Sequence, residues 1–202
     1  MEVRQLIEPH LERREVAIIA NLDVQGALGS AWWPTMNAPE TFTKLKQDYL
    51  KDRKAIITIN NISMETKLTK FYPQGSCFGP GLWNIQFDPL LKFQYTEHTK
   101  AVAFADDLLI MIRAESVGEA ESIANVELNK ITKLARDNKL RFNEGKSKVM
   151  LLTRMKRKEK KEIVVYLNNK AILQVNSLKY LGIIFDSKLT FKEHIKIWLK
   201  MH

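Results

Sequence analysis

An α+β fold, with helices on one face of a mainly antiparallel sheet, is what the sequence predicts, and three observations predict it. Short apolar runs of strand length alternate with amphipathic stretches, without the regular strand–helix–strand rhythm of a parallel sheet. Asn60-Asn61 and Asn168-Asn169 each join two strand-like runs directly, which is a hairpin signal. Within residues 101–112, two further apolar runs meet head to tail at Asp106-Asp107, a third hairpin with two carboxylates at its tip.

In chain order, residues 2–15 carry a roughly helical apolar stripe, Val3, Leu6, Ile7 and Leu11, which Pro9 should bend or interrupt. Residues 16–22 form a short apolar run that reads as a buried strand delivering Asp23 at its C-terminal end. Gly26, Gly29 and Ser30 open a turn before Trp32-Trp33-Pro34, and the spacing over 41–50 predicts a helix with a charged outer face. Two strands, 55–60 and 64–72, follow. Pro73-Gln74-Gly75-Ser76 breaks the pattern, and Gly79-Pro80-Gly81 starts a helix to about Gln94.

After the Asp106-Asp107 hairpin comes the clearest helix, 116–138. Val117, Ala120, Ala124, Leu128, Ile131 and Ala135 share one face, Ser116 is the N-cap, and Glu119 completes a capping box. Residues 148–153 read as a strand returning to the sheet, 154–161 as a basic loop, and 162–175 as the Asn168-Asn169 hairpin. A strand over 180–185 and a terminal helix over 190–200 complete the pattern.

Composition narrows the function classes. A chain of 202 residues with 45% apolar and 27% charged side chains is long enough to bury one core and is typical of a soluble globular domain. A net charge of +9 favours polyanionic partners, nucleic acid first and an anionic membrane surface second. Cys77 is the sole cysteine, which excludes an internal disulfide and a cysteine-based zinc site and points to a reducing, intracellular setting. No apolar run approaches the roughly 20 residues needed to span a bilayer, and the early charges Glu2, Arg4 and Glu8 do not suit a secretory signal.

Asp23 and Asp106-Asp107 are the candidate chemical centre. A buried ionised carboxylate needs a partner or a metal, and hard cations such as Mg²⁺ take oxygen ligands. Asp23 and Asp106 are read as bridging ligands with Asp107 beside them, although a plain turn and a plain strand end would give the same fragments. Gln74 and Gly75 could offer amides to a nucleotide or template, or simply make a Pro-Gly turn before a helix. Lys146 is a phosphate contact, a proton donor or a surface lysine. Trp32 and Trp33 suit base stacking or core packing, and the basic run suits phosphate contact or a solvated surface. His10, His98, His194 and His202 have no metal-ligand spacing.

The ordered set of motifs resembles the reverse transcriptase domain of non-LTR (LINE-like) retrotransposons, closest to the type-1 element Pol proteins of insects. It comprises Leu22-Asp23-Val24-Gln25-Gly26-Ala27 with Trp32-Trp33-Pro34, Pro73-Gln74-Gly75-Ser76-Cys77 with Gly79-Pro80 and Leu82-Trp83-Asn84, and Phe104-Ala105-Asp106-Asp107. Residues 140–146 and Leu178-Lys179-Tyr180-Leu181-Gly182 follow in family order. The resemblance implies a right-hand polymerase palm that copies RNA into DNA from a DNA primer and deoxynucleoside triphosphates, using two Mg²⁺ (or Mn²⁺) ions. By motif position, Asp23, Asp106 and Asp107 are the catalytic metal ligands. Gln74 and Gly75 lie against template and nucleotide, Lys146 near the departing pyrophosphate, and Tyr180, Leu181 and Gly182 form the primer grip. The setting it implies is nuclear if the domain is functional.

Several departures accompany the match. Leu28-Gly29 stands where the family usually has Phe-Asp, so the aromatic that walls off the sugar 2′ position is replaced by Leu28, which bears on deoxyribose selection. Phe71-Tyr72 replaces a small, glycine-containing approach to Gln74. Upstream finger motifs have no counterpart, so the expected organisation is a partial domain over 1–202. Palm and residual fingers occupy 1–153, and a basic loop, hairpin, primer-grip strand and thumb start occupy 154–202. Two functional expectations follow, an RNA-directed DNA polymerase domain or a catalytically inactive remnant that binds nucleic acid through its basic surface.

Overall fold

The apolar run after Glu15 forms β1 (Val16–Asp23), the central strand to which the rest of the sheet is added. The computed structural model describes residues 2–13, 15–26, 40–68, 75–154 and 162–201. Strand β5 (Asp107–Ala114) pairs antiparallel with one side of β1, and β6 (Lys148–Leu152) with the other. Outside β5 lies β4 (Thr99–Phe104), also antiparallel. The opposite edge carries a two-residue strand, β9 (Leu173–Gln174), parallel to β6. The sheet order is therefore β4-β5-β1-β6-β9, mainly antiparallel as expected.

Alternation along β1 divides the core in two. Val16, Ile18, Ala20 and Leu22 face one side with Leu108, Ile110 and Ile112 of β5, and are covered by two helices. These are α3 (Gly79–Leu91) and α4 (Val117–Asp137), the latter burying every residue of the predicted stripe. The Ser116 hydroxyl accepts the Glu119 amide at 3.2 Å, so Ser116 caps the helix as expected, whereas the Glu119 carboxylate accepts the amide of Glu115, one residue before the N-cap, at 3.0 Å rather than that of Ser116.

Ala17 and Ile19 face the other side with Leu109 and Met111, covered by α1 (Glu2–Glu12) and by β10 (Ser177–Tyr180) with β11 (Ile183–Asp186). Helix α1 runs through Pro9 without interruption. A proline removes one amide donor, and burial of Ile7 and Leu11 against the sheet outweighs that loss. The expected single strand over 180–185 is instead a hairpin turning at Leu181-Gly182, where φ is +48° and +82°. Both central residues being left-handed marks a tight turn, and Gly182 was the local signal for it.

Helix α2 (Glu40–Leu50) and the hairpin of β2 (Lys54–Ile59) with β3 (Ile62–Lys67) precede α3. Asn60 and Asn61 form that hairpin's turn, at φ +48° and +61°. Asn168-Asn169 likewise joins β7 (Tyr166–Leu167) to β8 (Lys170–Ala171). Helix α3 ends at Leu91, short of the expected Gln94, and α5 (Lys192–Met201) is the terminal helix. Among the described residues, no helix is long and apolar enough to cross a membrane.

Candidate active site

Two strands place the first two carboxylates. Asp23, the last residue of β1, stands opposite Asp107, the first residue of β5. Cross-strand partners share a face, and parity along both strands assigns that face to the side of Ile19, Leu109 and Met111. The apolar stretches behind them fix the register, because a one-residue slip would turn every core side chain of β1 to the wrong side. Asp106 lies next to them in the two-residue turn between β4 and β5, and is exposed. The turn itself is Ala105-Asp106, so Asp107 belongs to the strand rather than to the tip.

Electrostatics couples the three. The Asp107 carboxyl is held above the ordinary aspartate value of 3.8 by burial first, then by the negative charges of Asp106 and Asp23. Among the described residues, no three His, Cys, Asp or Glu side chains close into a ready-made metal cage. The donor set nevertheless fits a hard divalent cation, since all three groups offer carboxylate oxygens and their mutual repulsion is relieved by a positive charge between them. Asn21, two residues before Asp23 on the same face, keeps its side-chain oxygen buried without a hydrogen-bond partner.

The loop carrying Lys146 is bound to Asp23 through the backbone. Asn143 donates its amide to the Asp23 carbonyl at 2.8 Å, and the Asp23 amide donates to the Ser147 hydroxyl at 3.1 Å. That hydroxyl in turn donates to the Asn143 carbonyl at 2.8 Å, and Ser147 is fully buried. Lys146 itself is exposed in the turn, its amide directed at Asn143. The fold therefore draws Lys146's loop to the Asp23 end of β1. Ser147 was missed, because nothing local in the sequence marks a serine whose partner lies 124 residues away.

Gly75 is exposed in a turn at φ +86°, a conformation glycine adopts without strain. Next to it, the Ser76 hydroxyl accepts the amides of Phe78 and Gly79 at 3.2 Å, anchoring the start of α3. The primer-grip candidates divide. Tyr180 is buried with Leu178 and Phe185 on the carboxylate face of the sheet, whereas Leu181 and Gly182 are exposed at the hairpin turn. Phe104, opposite Asp107 on β4, is 62% exposed, a large aromatic beside the carboxylates. Leu28 and Gln74, together with Gly29, Trp32, Trp33, Phe71, Tyr72 and the basic residues 156–161, lie outside the described residues.

A family model described as reverse transcriptase (RNA-dependent DNA polymerase) matches residues 2–185. The chain is 26% identical over 183 residues to the probable RNA-directed DNA polymerase from transposon X-element of Drosophila melanogaster, covering 86% of this chain and 20% of that protein. It is 26% identical over 200 residues to the RNA-directed DNA polymerase from mobile element jockey of the same species, covering 92% and 21%. The Pol polyprotein from type-1 retrotransposable element R1 of Bradysia coprophila is 25% identical over 195 residues, covering 93% and 19%. The chain thus spans about one fifth of the length of these relatives. Among solved structures, a truncated apo telomerase from Candida tropicalis aligns at a TM-score of 0.49 and 9% identity, over 95% of this chain and 39% of that one.

Proposed function

The chain belongs to the reverse transcriptase (RNA-dependent DNA polymerase) family, and from that membership we propose that it is the palm-containing part of a non-LTR retrotransposon polymerase, built for nucleotidyl transfer. The reaction is attack of a primer 3′-hydroxyl on the α-phosphate of a deoxynucleoside triphosphate, with pyrophosphate leaving and RNA as template. The observation that carries this reading is the register pairing of Asp23 with Asp107, one residue from Asp106. It puts an early and a late acidic motif on one rigid sheet, where propped side chains keep their geometry better than on a loop.

Asp23, Asp106 and Asp107 are the residues that would hold two Mg²⁺ or Mn²⁺ ions. Bound there, such ions make the 3′-hydroxyl more acidic and neutralise charge on the leaving oxygens. The protein's own part is positioning. The β1–β5 pairing fixes two carboxylates, the β4–β5 turn presents the third, and the Asn143–Ser147 loop ties Lys146 to the same strand end. Lys146 serves the departing pyrophosphate as a cation and proton donor. Gln74 and Gly75 contact template and nucleotide, Leu28 sits at the sugar 2′ position, and the Tyr180-Leu181-Gly182 turn holds the primer.

Primer extension on an RNA template with Mg²⁺ tests the proposal. Incorporation that disappears in Asp106→Asn is the expected result. Salt-sensitive RNA binding without any extension would favour the alternative of an inactive, nucleic-acid-binding remnant.

A further inference from the structure

The turn that carries Asp106 has an unfavourable residue at its first central position. Ala105 stands at φ +54° between Phe104 and Asp107, and the turn is left-handed at that residue alone, the sign pattern of a type II′ hairpin turn. That position is normally a glycine, because a Cβ in left-handed backbone crowds the neighbouring carbonyl. The sequence at this turn therefore does not by itself prefer the conformation it adopts. Something outside the turn must hold it.

Among the described residues, the Trp83 side chain reaches it. Trp83, on α3 and only 3% exposed, donates its indole Nε1–H to the Ala105 carbonyl at 2.8 Å. The indole is itself held, stacked on Phe87 with ring centroids 5.4 Å apart and planes 27° apart, and packed in the cluster that includes Leu82 and Leu90. It approaches from the α3–α4 side of the sheet, the side opposite Asp23 and Asp107, so the indole itself does not occupy the carboxylate face. A phenylalanine could fill most of the same space but could not donate the hydrogen bond.

We propose that Trp83 is a positioning residue of the candidate active site: its indole N–H clamps the Ala105 carbonyl and so holds Asp106 and Asp107 in the presentation that a divalent cation requires. The role rests on the proposed function for its consequence, but its physical core, a tryptophan bond that compensates a strained turn, is independent of that function. A chain with glycine at position 105 would need the clamp less. Trp83 and residue 105 are therefore energetically coupled.

The test uses the full chain and has two arms. Without metal, hydrogen exchange at the Asp107 amide, which closes the turn against Phe104, is compared in wild type, Trp83→Phe, Ala105→Gly and the double variant. Trp83→Phe should speed exchange about three- to tenfold, the range set by the loss of one neutral hydrogen bond, and Ala105→Gly should restore it. In the second arm, Mn²⁺ affinity should fall by a similar factor in Trp83→Phe and recover in the double variant. Repair by a glycine 22 residues away separates a positioning role from a loosened core. If Trp83→Phe does not fold, Trp83→3-benzothienyl-alanine, which keeps the shape and lacks the N–H, takes its place. Unchanged exchange at Asp107 in the N–H-deficient variant overturns the clamp, as does failure of Ala105→Gly to repair it. Absence of Mn²⁺ binding in wild type, with the exchange pattern as expected, would instead count against the proposed function and leave the clamp standing.

Discussion

Ser147→Ala removes one oxygen from a fully buried position and should act through Asp23. The hydroxyl accepts the Asp23 amide at 3.1 Å and donates to the Asn143 carbonyl at 2.8 Å. The Asn143 carbonyl keeps a second donor, the Ser147 amide at 2.9 Å, so its loss is minor. The Asp23 amide, on a half-buried residue, has no such reserve among the described hydrogen bonds and is left without that acceptor. Stranding one such donor costs on the order of 2 kcal/mol, which for a chain of this size lowers the melting temperature by about 4–8 °C. Ser122→Ala is the matched control, because its hydroxyl bonds the Gly118 carbonyl at 2.9 Å on the exposed face of α4. That change should stay within about 0.5 kcal/mol. Thermal unfolding of both variants beside wild type is the assay. Equal melting temperatures for the two alanine variants would refute the reasoning that Ser147 anchors the end of β1.

Other outcomes follow from the same geometry. Asp107 has its carboxyl raised above 3.8 by burial, Asp106 and Asp23, so its contribution to stability is full below that value and is lost as pH rises through the raised one. In chelator, Asp107→Asn should therefore gain stability relative to wild type between acid and neutral pH, and urea melts across that interval should show the gap closing as pH falls. A gap of constant size would contradict the electrostatic coupling. Leu128→Ala, at a fully buried position on α4, should cost on the order of 3 kcal/mol by urea denaturation, with a smaller loss only if the cluster over β1 and β5 collapses to fill the space.

What the sequence revealed of this fold was mostly local. The stripe from Val117 to Ala135, with Ser116 before it, states a helix through period and cap alone, and α4 follows it residue for residue. The pairs Asn60-Asn61 and Asn168-Asn169 tolerate left-handed backbone, so their turns were legible. Leu181 and Ala105 adopt the same backbone without favouring it, and at Ala105 the Trp83 indole supplies a tertiary contact. Leu181-Gly182 was consequently read through as one strand, and Ala105's conformation left no trace in composition. Pro9 is the reverse case, a local signal for interruption overridden by burial of Ile7 and Leu11.

The candidate site shows the same division. Asp23 and Asp106-Asp107 were legible as acids at strand ends, and the register that sets Asp23 against Asp107 was not, because it depends on how three apolar strands share two faces. Ser147 and Trp83 act on residues far away in sequence, through single hydrogen bonds to backbone. A serine before a strand and a tryptophan in an apolar helix are both ordinary until the fold brings their partners to them.

Calorimetric titration with Mn²⁺, run on wild type beside Asp23→Asn and Asp107→Asn, tests the account most directly, because the two residues come from strands that are distant in sequence and paired in space. The account predicts saturable binding to wild type and its loss in either variant. Binding of wild-type strength in both variants would contradict a shared carboxylate site.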